Sequence, residues 1–350
     1  MRLDLLEELA PVCPRCLHGA ESVSARVVTA ETAEIRAGHL WHGVLHCSNP
    51  ECWMEFPVID GVPILVPDPL AYVAGARAQI LARQDMPPVL ESIVGDAAGP
   101  GSDFDTTRQH LGLYAWSHYA DWSDPGGDSQ IPAILDVAFS KIDGATGAAI
   151  DLGCSVGRGA WEVARRTERT VLGCDLNFSM LRLAQKLMLE GTADFPRRRI
   201  GLVYDPITIS LPSGLTNVGV DFWAADSMAM PFDAGSFGLA SALNLIDCIA
   251  GPTNMLAEAS RLLVPGGVAI FSTPYDWSAN ATEPPAWIGG HSQRGPHSGA
   301  AEPVLRATLE QCGLTSRYEN PSVPWKLRLH ERSTMHYDLH LIVGRKKGSS

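Results

Sequence analysis

The sequence predicts an α/β fold, a doubly wound parallel sheet, with a small cysteine-bearing module ahead of it. Three observations predict this. Residues 148–152 read as a short buried strand that breaks into the turn Gly153-Cys154-Ser155-Val156-Gly157-Arg158-Gly159, and the turn feeds a helix. A second buried strand, residues 170–175, ends in Asp175, 24 positions after Asp151 and one strand–helix–strand unit away. Four of the eight cysteines, Cys13, Cys16, Cys47 and Cys52, fall in the first 52 residues as two close pairs.

Composition bounds the possibilities. A chain of 350 residues, 45% hydrophobic and 19% charged, has room for one large folded domain and a smaller one. No apolar run reaches the ~20 residues that span a bilayer. Acids inside the first nine residues argue against a signal peptide, so a cytoplasmic protein with no membrane partner is expected. Acids outnumber Lys plus Arg by 39 to 27, for a net charge of −12. Phosphate backbones are held mainly by neutralising them, so nucleic acid is not an expected partner. The basic runs at 197–199 and 345–347 read as solvated surface. Nothing in the sequence specifies an oligomeric state.

Residues 1–69 form the first unit. Cys13-Pro14-Arg15-Cys16 and Cys47-Ser48-Asn49-Pro50-Glu51-Cys52 suit a tetrahedral Zn²⁺ held by four thiolates, which leaves the metal no open position and makes the site structural. A disulfide pair and four free thiols are the competing readings, and His18, His39, His42 and His46 lie near enough in sequence to substitute as a ligand. Residues 56–67 read as strand, Asp60-Gly61 turn, strand. With its knuckles this segment resembles the zinc-ribbon domain of the small activator protein of tRNA methyltransferases, Phe56 standing where that family usually has Tyr.

Residues 70–129 form a helical linker and an aromatic lid. A helical stretch at 70–84 is followed by a Pro87-Pro88 break and a polar, glycine-rich run at 95–103 that reads as linker. The cluster Tyr114, Trp116, His118, Tyr119 and Trp122 either covers a ligand site or packs on the core. Residues 131–142 have helical apolar spacing and open the main unit, 130–350.

Within that unit, glycines at 153, 157 and 159 let the backbone approach a ligand, and the first helical amides point at it. Asp151 would repel a pyrophosphate but suits an ammonium or sulfonium. Asp175, at its strand tip, is placed to accept hydrogen bonds from ribose hydroxyls. Residues 191–220 exceed what the fold needs and suggest an extra hairpin from strands at 200–204 and 207–211. A third strand, 218–224, ends at Asp226-Ser227. A fourth, 237–245, ends in Asn244-Leu245-Ile246-Asp247. A helix at 256–263, the turn Val264-Pro265-Gly266-Gly267 and a strand at 268–272 follow. A helix at 304–312 and an antiparallel pair at 325–329 and 335–343 close the chain.

Asp151-x-Gly-x-x-x-Gly-x-Gly, the Asp226 tip, the loop 230–237 and Leu-x-Pro-Gly-Gly at 263–267 resemble the motifs of class I S-adenosylmethionine-dependent methyltransferases, in order, over residues 130–345. The resemblance implies a Rossmann-like seven-stranded methyltransferase sheet and S-adenosylmethionine as cofactor. It puts Asp151, Gly153, Cys154 and Gly157 at the methionine end, Asp175 and Leu176 at the ribose, Asp226 and Ser227 at the adenine, and Asn244 beside the donor. Asn244-Leu-Ile-Asp247, Ser272-Thr-Pro-Tyr275-Asp-Trp277, Trp287-Ile-Gly-Gly290, Val323-Pro-Trp325 and the stretch from Glu331-Arg332 to Tyr337 look like the C-terminal mercaptohistidine N-methyltransferase domain of ovothiol-forming enzymes. That likeness implies Asn244, Asp247, Tyr275 and Trp277 around the transferred methyl, Arg332 on a substrate carboxylate and His291 as a lid-borne base. The sulfoxide-synthase part of those enzymes is absent, and a His-rich loop, 291–297, departs from their pattern. The expected reaction is methylation of a nitrogen (or sulfur) of a small imidazole- or amino-acid-like acceptor. An RNA base methyltransferase and a non-catalytic scaffold with a partner-recruiting ribbon are the alternatives.

Overall fold

The computed structural model describes residues 1–348 except 125, 145 and 217. At the N-terminus, α1 (Leu3–Leu9) and α2 (Pro14–Leu17) precede a four-stranded antiparallel sheet of β1 (Val27–Arg36), β2 (His39–Cys47), β3 (Glu55–Ile59) and β4 (Val62–Pro63), in that order. Asp60 and Gly61 both take positive φ, +50° and +76°, which turns β3 into β4 in two residues. The chain then joins the edge of the main sheet: Ile64 bridges Ala224 in parallel, and the Leu65 N–H donates to the Ala224 carbonyl at 2.8 Å. Asp60 also pairs with Arg182 at 2.8 Å. The module therefore covers what would be an open strand edge.

Next come α3 (Pro69–Ile80), α4 (Pro88–Ala98) and α5 (Asp103–Ser123). The glycine-rich run at 95–103 is less of a linker than its composition suggests. Gly95 is buried inside α4, where an added Cβ would lie 2.9 Å from the Arg108 guanidinium, and Ser102 caps α5 by accepting from the Asp105 N–H. What reads as linker is the packed corner between two helices.

The main unit runs α6 (Ile131–Phe139), β5 (Ala149–Leu152), α7 (Arg158–Thr167), β6 (Val171–Asp175), α8 (Phe178–Glu190), β7 (Thr192–Ile200), β8 (Val203–Ser210), β9 (Val220–Ala224), β10 (Phe237–Leu243), α9 (Pro252–Leu262), β11 (Leu263–Thr273), α10 (Ala301–Gln311), β12 (Leu314–His330) and β13 (Ser333–Lys346). Seven strands form one sheet, ordered β12-β13-β11-β10-β5-β6-β9. From β9 to β11 neighbours are parallel, and β13 alone runs against them. β5, β6, β9 and β10 are buried almost throughout, as a sheet covered on both faces requires. The order reverses between β5 and β10, which opens the crevice at their carboxyl ends.

This is the doubly wound sheet the sequence predicts, with two departures. The extra hairpin, β7–β8, is longer than expected and turns at Gly201 (φ +56°). The last pair is also longer, because β12 begins at Leu314, and its far end leaves the sheet to lie on α5 and β7. There the Arg328 N–H meets Ser117 Oγ at 3.4 Å, and Glu331 pairs with Arg197 at 3.6 Å. Among the described residues no helix is long and apolar enough to cross a membrane.

Candidate active site

The glycine turn is tight enough to specify its residues. Gly153 and Gly157 hold φ of +68° and +91°, and a Cβ on Gly157 would lie 2.5 Å from the Phe222 ring. A Cβ on Gly159 would lie 2.5 Å from Asp151 Oδ2, so glycine lets the carboxylate tuck under the first turn of α7. Asp151 Oδ1 accepts from Ser241 Oγ at 2.7 Å, and the residue is 3% exposed. Burial pushes its carboxyl up to about 7, against the opposing hydrogen bond from Ser241 and with Asp175 adding to the rise.

Asp175 accepts from the N–H groups of Ser155 and Asn177, each at 2.8 Å, and burial raises it as well. It does not cap α8; Asn177 does, accepting from the Met180 N–H. Asp175 thus lies between the glycine turn and the start of α8. Leu176 beside it is 47% exposed, and its carbonyl accepts from the Tyr72 hydroxyl of α3 at 3.0 Å. Asp226 turns the tip of β9 by accepting from the Met228 N–H at 2.9 Å, with Ser227 buried next to it. Cys154 lies within the glycine turn itself. Its N–H donates to the Cys174 carbonyl, its own carbonyl accepts from Gly157, and its thiol is buried in the core, so it builds the turn.

The tips of β10 and β11 form the facing wall. Asn244 and Tyr275 hold φ of +55° and +56°, strained for side chains with a Cβ, and such strain collects where a site is being shaped. Asn244 is fixed by Ser272, whose carbonyl takes the Asn244 N–H at 2.9 Å and whose hydroxyl donates to Asn244 Oδ1 at 2.8 Å. The Asp247 carboxylate accepts from Thr273 Oγ1 at 3.1 Å and from the Asp276 N–H at 2.9 Å, and burial raises it. Tyr275 meets His340 Nδ1 at 2.6 Å through its hydroxyl. Trp277 stacks on Trp287 at 5.9 Å, and its Nε1 is buried with no hydrogen-bond partner.

Two predicted residues are not brought here. His291 is exposed, with Nε2 on the Pro284 carbonyl and its ring beside Trp287, so it fastens its own loop. Arg332 lies in the exposed turn between β12 and β13, five residues or ~16 Å of strand from Tyr337 at the site.

Two side chains given no role in the sequence lie beside Asp247 and Asp276. The Tyr337 hydroxyl donates to Asp276 Oδ2 at 2.9 Å. Burial pushes the Tyr114 hydroxyl of α5 up to about 12, and the Asp175 and Asp247 carboxylates nearby add to the rise. α5 is clamped over the glycine turn: the Tyr119 hydroxyl donates to the Val156 carbonyl at 2.6 Å, and Arg158 pairs with Asp121 at 2.7 Å beneath the Trp122 ring. The aromatic cluster thus packs on the core, Tyr119 against α8 and Tyr114 at the edge of the same cluster. Cavities of about 370 and 360 Å³ open beside the 279–288 loop, and neither touches the glycine turn.

The cysteine pairs converge in the N-terminal module. Cys13 and Cys52 place their sulfurs 3.9 Å apart, Cys16 and Cys47 3.7 Å, and all four lie within 4.8 Å of one another. Disulfides would need ~2.05 Å. Four thiolates at ~2.3 Å from one tetrahedral ion have edges of ~3.8 Å, so the donor set fits such an ion. Asn49 adds N–H···S contacts to Cys47 and Cys16. The nearby histidines are outside this group; His18 meets the Met230 carbonyl instead.

Residues 150–271 match the family model described as a methyltransferase domain. That stretch holds the glycine turn and the strands β5 to β11 that frame it. The chain is 24% identical over 193 residues to methyltransferase GfsG of Streptomyces halstedii, covering 50% of this chain and 61% of that protein. The chain therefore spans about three-fifths of the length of that curated relative. Solved structures similar to it include a methyltransferase of Methanosarcina mazei, at 17% identity, 61% of this chain, 98% of that one and a TM-score of 0.41. An S-adenosylmethionine-dependent methyltransferase of Mesorhizobium loti is similar at 16% identity, 61% and 98% coverage and a TM-score of 0.39.

Proposed function

We propose that the protein is an S-adenosylmethionine-dependent methyltransferase that modifies a nitrogen, or a sulfur, of a small imidazole- or amino-acid-like metabolite. The observation that carries this reading is the group of hydroxyls and carboxylates at the tips of β10 and β11, where Asp276 takes the Tyr337 hydroxyl, its N–H donates to Asp247, and Tyr114 and Tyr275 lie near Asp247. Such a lining suits an acceptor that presents N–H groups and partial positive charge. It offers no cluster of cations for a phosphate backbone, and the chain is acidic overall.

S-adenosylmethionine, when bound, supplies a methyl group already activated on a sulfonium. The protein has to align the two reactants and take up a proton. Asp175 and Leu176 would hold the ribose, Asp226 and Ser227 the adenine, and the glycine turn braced by Asp151 the methionine end. Asn244 and Asp247 keep the acceptor wall in shape, Tyr275 orients an acceptor N–H, and Trp277 with its unpaired Nε1 lines the rim.

In the N-terminal unit, 1–69, we assign Zn²⁺ to the four thiolates as a structural ion that closes two loops onto one centre. Residues 70–129 then serve as the covering helices and 130–350 as the catalytic unit. Unpaired thiols suit a reducing cytoplasm. The test is methyl transfer from isotopically labelled cofactor to small imidazole, thiol and amino-acid acceptors, with an Asp175→Ala variant as control. Transfer to an acceptor by the wild type and its loss in the variant support the reading. Cofactor binding by calorimetry without transfer to any of them, or transfer to RNA alone, would sink it.

A further inference from the structure

A line of polar side chains runs from Tyr275 along the last two strands to solvent. Tyr275, just past the end of β11, meets His340 Nδ1 at 2.6 Å. His340, on β13 opposite Thr273, is 3% exposed, and its Nε2 lies 3.3 Å from Glu319 Oε2 on β12. Glu319 is held in turn by Arg306 Nε of α10 at 2.7 Å, and its side chain is 21% exposed. A carboxylate only accepts, so Nε2 carries the imidazole hydrogen and Nδ1 accepts from the Tyr275 hydroxyl. The tyrosine oxygen then keeps its lone pairs free to accept a second hydrogen bond.

Resting on the acceptor reading above, we propose that His340 and Glu319 are positioning residues for Tyr275, forming a relay that takes the proton shed by a methylated imidazole. As the N–CH₃ bond forms and the S–CH₃ bond breaks, its electron pair staying on sulfur, the acceptor becomes an imidazolium. Its remaining N–H proton passes to the Tyr275 oxygen, the Tyr275 hydroxyl proton passes to Nδ1, and the His340 cation rests on the Glu319 carboxylate until water removes the proton. The environment is consistent. Burial lowers His340, which leaves it neutral and able to accept, while Glu319 raises it. Burial also opposes the Glu319 charge, but the Arg306 hydrogen bond keeps that carboxyl below its usual range. The charged groups acting on His340 are Glu319 from β12 and Glu302 and Arg306 from α10; Asp247 acts in addition on Tyr275. An apolar trio would pack these strands without the cost of burying polar groups, so structure alone does not call for the line.

The test uses the full chain with histidine and a mercaptohistidine as probe acceptors. His340→Asn and Glu319→Gln should each lower kcat by ~10- to 100-fold, part of the usual general-base contribution, while cofactor Kd and acceptor KM stay within about twofold. Tyr275→Phe combined with His340→Asn should be no worse than Tyr275→Phe alone, since both remove one pathway. In Glu319→Gln the acid limb of kcat should move to lower pH, because the group that raises His340 is gone. Wild-type kcat in His340→Asn, additive losses, or an unmoved limb in Glu319→Gln would overturn the relay. Nitrogen-15 NMR of the acceptor-free wild type reads the tautomer directly: an unprotonated Nδ1 supports the relay, and a protonated Nδ1 overturns it. If neither probe is methylated, the acceptor reading fails, and the tautomer still decides the relay.

Discussion

Replacing Asp151 by Asn removes one buried charge from beneath the glycine turn. The wild-type carboxyl is pushed from 3.8 to about 7 by burial, so the folded protein binds a proton there that the unfolded chain has already lost between those values. Stability from this group is therefore fully present below pH ~4 and declines as pH rises towards ~7, above which it is flat. At ~1.36 kcal/mol per unit, roughly three units set an upper bound of ~4 kcal/mol. The Asp151→Asn variant cannot ionise, so its stability should change less between pH 5 and 8. It keeps the Ser241 contact through its carbonyl and gives up one acceptor near the Ala160 N–H, a loss of ~1–3 kcal/mol that is independent of pH. Cofactor binding gives the complementary readout. A ligand with ammonium and sulfonium charges favours ionised Asp151, so wild-type affinity should rise with pH through 7 with proton release, and the Asp151→Asn variant should show neither trend. Denaturant titrations at several pH values, and calorimetry in two buffers of different ionisation enthalpy, measure both. Equal pH slopes for wild type and variant would refute the reasoning.

Three other outcomes follow from the same geometry. Gly157→Ala places a Cβ 2.5 Å from the Phe222 ring at φ +91°, so thermal stability should fall by ~1–3 kcal/mol and cofactor Kd should rise at least about tenfold. Cys47→Ser opens the four-thiolate set, so elemental analysis should find close to one zinc per wild-type chain and little in the variant, with a lower Tm that chelator reproduces in the wild type. Arg158→Met removes one of three arginines from Glu162 and frees Asp121 under α5; with Arg165 and Arg166 still on Glu162, the cost should fall below the ~3–5 kcal/mol of an uncompensated buried charge, and the melt should move down accordingly.

Much of this was legible in the sequence, for stated reasons. The strand runs at β5, β6 and β9 are apolar because both sheet faces are covered, and their tips carry Asp151-x-Gly, Asp175 and Asp226 because the crevice opens there. Asn177 could be read as the α8 cap, since a short polar side chain at a helix start accepts from the third N–H. The wall facing the glycine turn was only partly readable. Asn244, Asp247, Tyr275 and Trp277 are local to strand tips and travel as motifs, whereas Tyr114, Tyr337 and His340 come from elements whose placement depends on long-range packing. Arg332 depends on strand length: its neighbours pair in β12 and β13, and the turn between them sets it five residues from Tyr337. The 95–103 corner misleads for another reason, because glycine there admits the Arg108 side chain instead of loosening the chain.

The most direct measurement of the central claim is a mass-resolved assay of the purified full chain with deuterated-methyl S-adenosylmethionine and a panel of imidazole, thiol and amino-acid acceptors, with structured RNA alongside. The account predicts that one labelled methyl appears on a ring nitrogen, or a sulfur, of a small acceptor and that RNA gains none. Methyl label in RNA with every small acceptor untouched would contradict it.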